Sequence, residues 1–326
     1  MKLFFQQAFQ LYYFDMKTEI LAPTPDNIKK AAKALKNNEL VSFATETVYG
    51  LAAPLFQEES VRKIFTLKNR PSDNPLIVHI NDIKWVEELA QNIPKEFYLL
   101  SEVFFPGPLT IILEKRPHIP EVATGAKPTI AIRMPGLQAA LDLIAAAEEP
   151  LVAPSANISG RPSPTLAEHV FEDFNGKIPF ILDCGPCQHG IESTVIYLSD
   201  SPILLRPGAI SKESLEIVLK REVKSSHLAI APGMKYRHYA PSAKVKVFFS
   251  LSELLEYADK SSKKQIVLST QKIPSILSWP LNRQTLFANF RKADSLYFEE
   301  ILIFCDEMAK EDLALMNRVN KASSNI

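Results

Sequence analysis

Several loops of this sequence follow short apolar runs and carry the same cargo of hydroxyls, asparagine or a cation. They are Thr45-Glu46-Thr47, Lys68–Asn74, Pro154–Thr165 (PSANISGRPSPT), Gly190–Thr194 (GIEST) and Arg206-Pro207-Gly208. Lys68 and Arg70, one residue apart, offer a point charge and a planar fork, both suited to phosphate oxygens. Arg206, ahead of Pro-Gly, adds a third cation. Side chains would have to do this work, because neither GxxxxGK(S/T) nor GxGxxG occurs and the chain has 10 glycines against 24 prolines. Open α/β sheets bind ligands beyond the carboxyl ends of their strands, so loops of this kind can converge on one site. Taken singly, each loop reads equally well as a turn marked by Ser, Asn and Pro.

The elements that must position these loops alternate along the chain. Asp26–Asn38 has helical apolar spacing, with Asp26 as its expected cap and asparagine as its stop. Leu40–Ala44 predicts a buried strand, and Glu59–Leu67 a helix running into the Lys68 loop. Pro75–Ile80 (PLIVHI) reads as a strand and Ile83–Ala90 as a helix. Leu109–Leu113, Thr129–Arg133 and Leu151–Ala153 are further strands. Leu137–Ala147 and Leu166–Phe174 are helices, the second capped by Thr165; Phe180–Asp183 and Thr194–Leu198 complete the set. This alternation predicts an α/β domain over residues 17–222. Residues 1–16 read as a tail or upstream-start extension, since apolar Met1–Asp15 has no small-residue cleavage site after it. Residues 223–243 break the rhythm; they are too aromatic and cationic for a solvated spacer and predict a linker that closes as a lid. Residues 244–326 return to it: strands at KVKVFF, Gln265–Leu268 and Ile301–Phe304 alternate with helices at Leu251–Ala258, Phe287–Asp294 and Asp312–Lys321. They predict a small Rossmann-like α/β domain.

Composition limits the function. The 326 residues include 37 basic and 37 acidic side chains, so long-range attraction to nucleic acid is not the main binding force, although a local basic patch remains open. Three cysteines exclude a disulfide scaffold and fit a reducing cytosol. No apolar run approaches the roughly 20 residues that span a bilayer, so a cytoplasmic protein with no membrane partner is expected. Cys184-Gly185-Pro186-Cys187 is a redox-type tetrapeptide followed by His189. It leads through glycine into a β-branched strand rather than into a helix N-terminus, where a thiolate would be stabilised. Zinc would need further ligands, and Cys305 is remote. A tight turn between strands is expected there, and no metal.

The loops also match one family in order. TETVYGL (Thr45–Leu51), K-x-R-P with DNPLIVHI (Lys68–Ile80), PGPLT (Pro106–Thr110), IRMP (Ile132–Pro135), PSANISGRPSPT, GIESTV and LRPGAI (Leu205–Ile210) resemble the YrdC domain of threonylcarbamoyl-AMP synthases. The resemblance is nearly continuous over residues 40–210. APGMKYRHYAP (Ala231–Pro241) and the domain after it, ending in ALMNRVNKAS, resemble the long two-domain form. Asn69 stands where glycine is usual, and Gly136-Leu137 replaces a commoner histidine-containing stretch.

The resemblance implies a twisted mixed-sheet YrdC-like domain followed by a small Rossmann-like α/β domain. It also implies an L-threonylcarbamoyladenylate synthase, a nucleotidyltransferase acting on L-threonine, bicarbonate or CO2, and ATP, with pyrophosphate released. Mg2+ would accompany ATP. The product would pass to a tRNA threonylcarbamoyl-transferase complex that modifies adenosine next to the anticodon, with a weak tRNA contact. By the same resemblance Lys68 and Arg70 act on the triphosphate, and Thr47, His79, Arg133 and Ser193 hold threonine, Arg133 pairing its carboxylate. Arg70, Asn74, Thr129, Ser155, Asn157, Ser163, Arg206 and Tyr239 would line the nucleotide. Two other readings share the fold. One is an RNA- or ribosome-associated module. The other is a hydrogenase-maturation carbamoyltransferase, whose cysteine-rich zinc fingers three cysteines cannot supply.

Overall fold

The computed structural model describes residues 16–226, 239–274 and 276–323. Met1–Asp15 and most of the expected lid lie outside them. Short apolar, partly β-branched runs form the strands of the first domain. They are β1 (Glu19–Leu21), β2 (Val41–Phe43), β3 (Gly50–Pro54), β4 (Ile77–His79), β5 (Ala90–Gln91) and β6 (Leu109–Lys115). Then come β7 (Thr129–Arg133), β8 (Leu151–Val152), β9 (Phe180–Leu182), β10 (Thr194–Tyr197), β11 (Ile203–Arg206) and β12 (Lys224–Ser225). They make one mixed sheet in the order β1-β9-β2-β3-β8-β4-β7-β6-β10-β11-β12, with β5 on β6. Parallel pairs such as β4/β7 and β6/β10 adjoin antiparallel ones such as β4/β8, β6/β7 and β10/β11.

Side chains alternate between the two faces of this sheet. Val41, Phe43 and Ala52 pack against Leu35 and Leu143 of helices Pro25–Lys36 and Gln138–Ala147. Leu40, Leu51 and Ala53 face the larger core, which contains Ile64, Leu100, Phe174 and Leu215 from four other helices.

Three local expectations need correction. Asp26 lies inside the first turn of its helix; Thr24 is the cap, its Oγ1 accepting from the Asn27 N–H at 3.3 Å, with Pro25 at the first helical position. Thr165 does not cap helix Ala167–Phe174, since its own N–H donates to His169 Nδ1 at 3.2 Å. Lys68 is the last residue of helix Glu58–Lys68 rather than a loop residue. The chain then turns through Asn69 at φ 51°, a left-handed conformation that glycine adopts freely and asparagine tolerates. That geometry explains why asparagine can replace the expected glycine.

The second domain has β13 (Lys244–Phe248), β14 (Gln265–Ser269), β15 (Ser278–Pro280) and β16 (Glu300–Phe304), all parallel in the order β13-β16-β14-β15. The short strand β15, which ends in proline, left no periodic signal in the sequence. The two domains meet closely at Gly190, whose φ is 70° and where a Cβ would stand 2.4 Å from Gln284 Cα. Only glycine fits both demands.

Candidate functional site

Register brings the chemistry together. In the parallel pair β4/β7, His79 lies beside Arg133, both at strand ends. In β10/β11, Val195 lies opposite Arg206, which sets Arg206 against Ser193. These ends and the loops after β2, β8 and helix Glu58–Lys68 surround one cavity. Its walls include Thr45, Thr47, Arg70, His79, Arg133, Ser155, Glu192, Ser193, Arg206 and Tyr239.

Part of the cavity wall is organised around Arg133. Its Nη2 lies 2.7 Å from Glu46 Oε1, and its Nε donates to the Gly107 carbonyl at 3.2 Å. Glu46 Oε2 accepts the Gly136 N–H at 2.9 Å. Burial alone would raise the Glu46 pKa, but the Arg133 charge and these hydrogen bonds hold it below the usual carboxylate value. His79 Nδ1 is 3.2 Å from the Ile77 carbonyl, so a proton on Nδ1 leaves Nε2 as the acceptor nitrogen. Burial and then the Arg133 charge push its pKa down to about 3, so the ring is neutral. Thr45 Oγ1 donates to the Val48 carbonyl at 2.7 Å and lies 2.8 Å from Thr47 Oγ1, which fixes the Thr47 hydroxyl at the wall.

The same wall carries the phosphate candidates Arg70 and Arg206. Arg70 donates from Nε to the Asn74 carbonyl at 3.2 Å and from Nη2 to the Pro75 carbonyl at 2.9 Å. Burial lowers its pKa to about 10, so it stays charged at neutral pH. Arg206 grips Ser193 twice, Nε to the carbonyl at 3.0 Å and Nη2 to Oγ at 3.1 Å. Ser193 Oγ also lies 2.7 Å from Thr110 Oγ1.

Thr47, His79, Arg133, Ser193, Arg70, Ser155, Arg206 and Tyr239 thus share one cavity. The remaining sequence candidates stand behind or away from its wall. Lys68 is fully buried; its Nζ donates to the Ser155 carbonyl at 2.5 Å and to the Asn157 carbonyl, bracing the PSAN loop from beneath. Burial drives its pKa well below the lysine value. Asn157 accepts from Ser155 Oγ at 2.5 Å and donates to the Ile158 and Arg161 carbonyls, so it shapes that loop. Ser163 donates to Glu192 Oε1 at 2.5 Å. Asn74 is buried in the turn that holds Arg70. Thr129 opens β7, roughly 13 Å along the strand from Arg133 at about 3.3 Å per residue.

Three charged residues at or against the cavity wall were not among the sequence candidates: Glu46, Glu192 and Arg318. The two acids sit inside TETVYGL and GIESTV, and a cavity lined by arginines implies such counter-charges. Arg318, on the last helix, Leu313–Ser323, is fully buried and donates from Nε to Glu192 Oε2 at 3.0 Å. A second buried arginine of the same domain, Arg291, donates to the Pro162 carbonyl and Asp173, each within 2.9 Å. Tyr239 stacks on Phe287 of that domain, ring centres 5.2 Å apart.

Cys184 and Cys187 are free thiols in the turn between β9 and β10, and burial raises their pKa values to about 11 and about 12. The Tyr49 hydroxyl ties that turn together, 2.7 Å from Asp183 Oδ1 and 2.9 Å from the Gly185 carbonyl oxygen. Among the described residues there is no cluster of His, Cys, Asp and Glu suited to a metal, and no helix is long and apolar enough to cross a membrane.

The mixed-sheet α/β fold of the chain matches that of a solved Sua5 protein. The Sua5/YciO/YrdC family profile, described as "Telomere recombination", matches residues 33–208, and that of "Threonylcarbamoyl-AMP synthase, C-terminal domain" matches residues 210–324. The threonylcarbamoyl-AMP synthase of Pyrococcus abyssi is 44% identical over 319 residues, which is 91% of this chain and 94% of that protein. That of Bacillus subtilis is 39% identical over 337 residues, covering 96% and 97%. The crystal structure of P. abyssi Sua5 complexed with L-threonine superposes with a TM-score of 0.87 at 41% identity, covering 94% of this chain and 97% of that one. The chain belongs to the threonylcarbamoyl-AMP synthase family, in its long two-domain form.

Proposed function

We propose that this protein synthesises threonylcarbamoyl-AMP from L-threonine, bicarbonate or CO2, and ATP, releasing pyrophosphate. The threonine amine adds to CO2 and loses a proton, giving an N-carboxylate. A carboxylate oxygen then bonds to the α-phosphorus of ATP as the bond to the β-phosphate oxygen breaks. No enzyme nucleophile is needed; the work is positioning and neutralising negative charge. The observation that carries the reading is one cavity whose wall holds three arginines, Arg70, Arg133 and Arg206.

In this reading Arg133 pairs the threonine carboxylate while Thr47, neutral His79 and Ser193 orient the amino acid. Arg70, Arg206, Ser155 and Tyr239 meet the nucleotide. Lys68, Asn74, Asn157 and Ser163 act by shaping the loops that carry those contacts. Glu46 and Glu192 are both engaged by arginines, so Mg2+ enters as the metal complex of ATP, held by its phosphates and water. The product passes to a tRNA threonylcarbamoyl-transferase complex in the cytoplasm, for modification of adenosine next to the anticodon.

The test is pyrophosphate release by the purified chain with ATP, threonine and bicarbonate, together with mass spectrometry of the product. Release that depends on both threonine and bicarbonate, with a threonylcarbamoyl-adenylate mass, is expected. Threonine-independent release, or none, would overturn the proposal and favour a binding module on this fold.

A further inference from the structure

Glu192 stands at the seam between the cavity and the second domain. It lines the cavity, as does Arg206, and both are buried. One of its carboxylate oxygens takes the Ser163 hydroxyl at 2.5 Å and the other takes Arg318 Nε at 3.0 Å. Arg318 also reaches the Glu192 carbonyl at 3.3 Å and the Pro207 carbonyl at 2.5 Å. One guanidinium from the second domain therefore clamps the loop before β10 and the loop after β11. Ser193 stands in the first of these loops, and Arg206 ends the strand that leads into the second. Arg318 is itself held rigidly: Leu315, Val319 and Ala322 of its helix are buried around it, and its guanidinium carbon lies 5.7 Å from the centre of the Tyr239 ring.

A buried carboxylate keeps its charge only where a cation compensates it. Burial works to raise the Glu192 pKa, and the charges of Arg318 and then Arg206 act to lower it. Arg206 and Lys321 are the cations left near Glu192 if Arg318 is lost, and of the two Arg206 shares the cavity wall with it. A carboxylate paired with Arg206 would compete with a phosphate for the same guanidinium, and the phosphate would bind more weakly.

We propose that Arg318 is a positioning residue for the reaction: by occupying Glu192 it keeps that carboxylate off Arg206, so that Arg206 serves the ATP phosphates. The second domain then contributes to nucleotide affinity through a residue that touches no substrate. This rests on the reading of Arg206 as a phosphate contact.

The test is a mutant cycle on the full-length protein, with KM for ATP and for threonine measured from pyrophosphate release and folding followed by thermal melting. R206M and R318M should each raise the ATP KM by about tenfold or more, the value of one charge-assisted contact. The threonine KM should change much less in R318M. E192Q/R318M, which removes the competing carboxylate, should bring the ATP KM back to within about threefold of the unsubstituted protein, under 1 kcal/mol. An unchanged ATP KM in R318M overturns the inference while leaving the Arg206 reading intact, provided R206M is impaired. An impaired R318M that E192Q does not rescue also overturns it, because Arg318 would then be only a brace. An unimpaired R206M removes the phosphate reading, and the inference with it. Should R318M fail to fold, the cycle runs on R318K, which keeps the charge but cannot grip Glu192 and Pro207 together. Its smaller rise must likewise be reversed by E192Q, and absence of reversal overturns the proposal.

Discussion

Replacing Arg133 by methionine separates two roles that the structure combines in one side chain. Toward the ligand, the guanidinium is read as the partner of the threonine carboxylate. A hydrogen bond to a charged group contributes about 1.5–3 kcal/mol, so threonine should bind about 10- to 150-fold more weakly. Toward the fold, Arg133 compensates Glu46, which is 8% exposed and lies 2.7 Å away. Removing one member of a buried pair costs about 3–5 kcal/mol, the lower end being expected because the Gly136 N–H remains on Glu46.

The two losses differ in their pH dependence. With Arg133 present, Glu46 sits below its ordinary value of 4.5, so its stabilisation is present above that pH and is lost as pH falls through the folded value. Without Arg133, burial dominates and Glu46 titrates above 4.5, taking up a proton in the folded state first. The stability deficit of the variant should therefore be largest near pH 7.5 and shrink toward pH 5. Urea unfolding at both pH values measures this, and calorimetric titration of threonine measures the ligand term. E46Q/R133M should recover most of the stability and none of the threonine affinity. Normal threonine binding by R133M would refute the assignment, and a deficit that grows in acid would refute the electrostatic account.

Three further outcomes are expected. K68M should lose about 1–3 kcal/mol of stability, since the Ser155 and Asn157 carbonyls lose their donor; ATP affinity should fall with it while the threonine Kd holds, and an unchanged melting temperature would show that the brace is idle. His79 should stay neutral by heteronuclear NMR down to about pH 4, as its pKa is pushed down to about 3; since the unfolded ring protonates near 6.5, this group lowers stability as pH falls below that value, and a titration between pH 5 and 7 would contradict the burial argument. Serine should be a weak substrate, because one methyl group in an apolar pocket discriminates by about 1–3 kcal/mol; the cavity wall includes Val48, Leu76 and Ala153, and equal efficiency for both amino acids would exclude a methyl pocket there.

The sequence showed what short range controls. PLIVHI carries a histidine one residue from its end and TIAIR ends in an arginine, so polar groups near adjacent strand ends were foreseeable, and the register pairs those two residues. The direction of a side chain was less visible. Lys68 and Arg70 looked like one phosphate-binding unit, yet the helix runs on through Lys68 and the left-handed turn at Asn69 separates the two, sending Lys68 beneath the PSAN loop and Arg70 to the cavity. Thr129 belongs to the same strand as Arg133 but opens it, so strand length sets it apart. Caps failed for a related reason: Thr24 and Asp26 are both good capping residues, and Pro25, suited to the first helical position, decides between them. Arg318 had no local signal, since its partner Glu192 is 126 residues away and only the packing of two domains brings them together.

The site has to be attractive to anions while remaining stable when empty. Uncompensated arginines in a buried cavity would repel one another, and full compensation by carboxylates would leave nothing for the phosphates. The structure divides the task. Glu46 and Glu192 are each hydrogen-bonded by one arginine and by one uncharged donor, Gly136 N–H or Ser163 Oγ. Arg133 balances Glu46 and is itself a wall of the cavity, so its charge is shared between fold and ligand. Arg318 balances Glu192 from outside the wall, and Arg70 and Arg206 line the cavity as the cations proposed to meet a triphosphate. In a space partly closed to water each such charge acts at lower effective dielectric than at the surface. On the proposed reading, the second domain helps to set nucleotide affinity by supplying a counter-charge to a counter-charge, beside the brace that Arg291 gives the Pro162 carbonyl and Asp173.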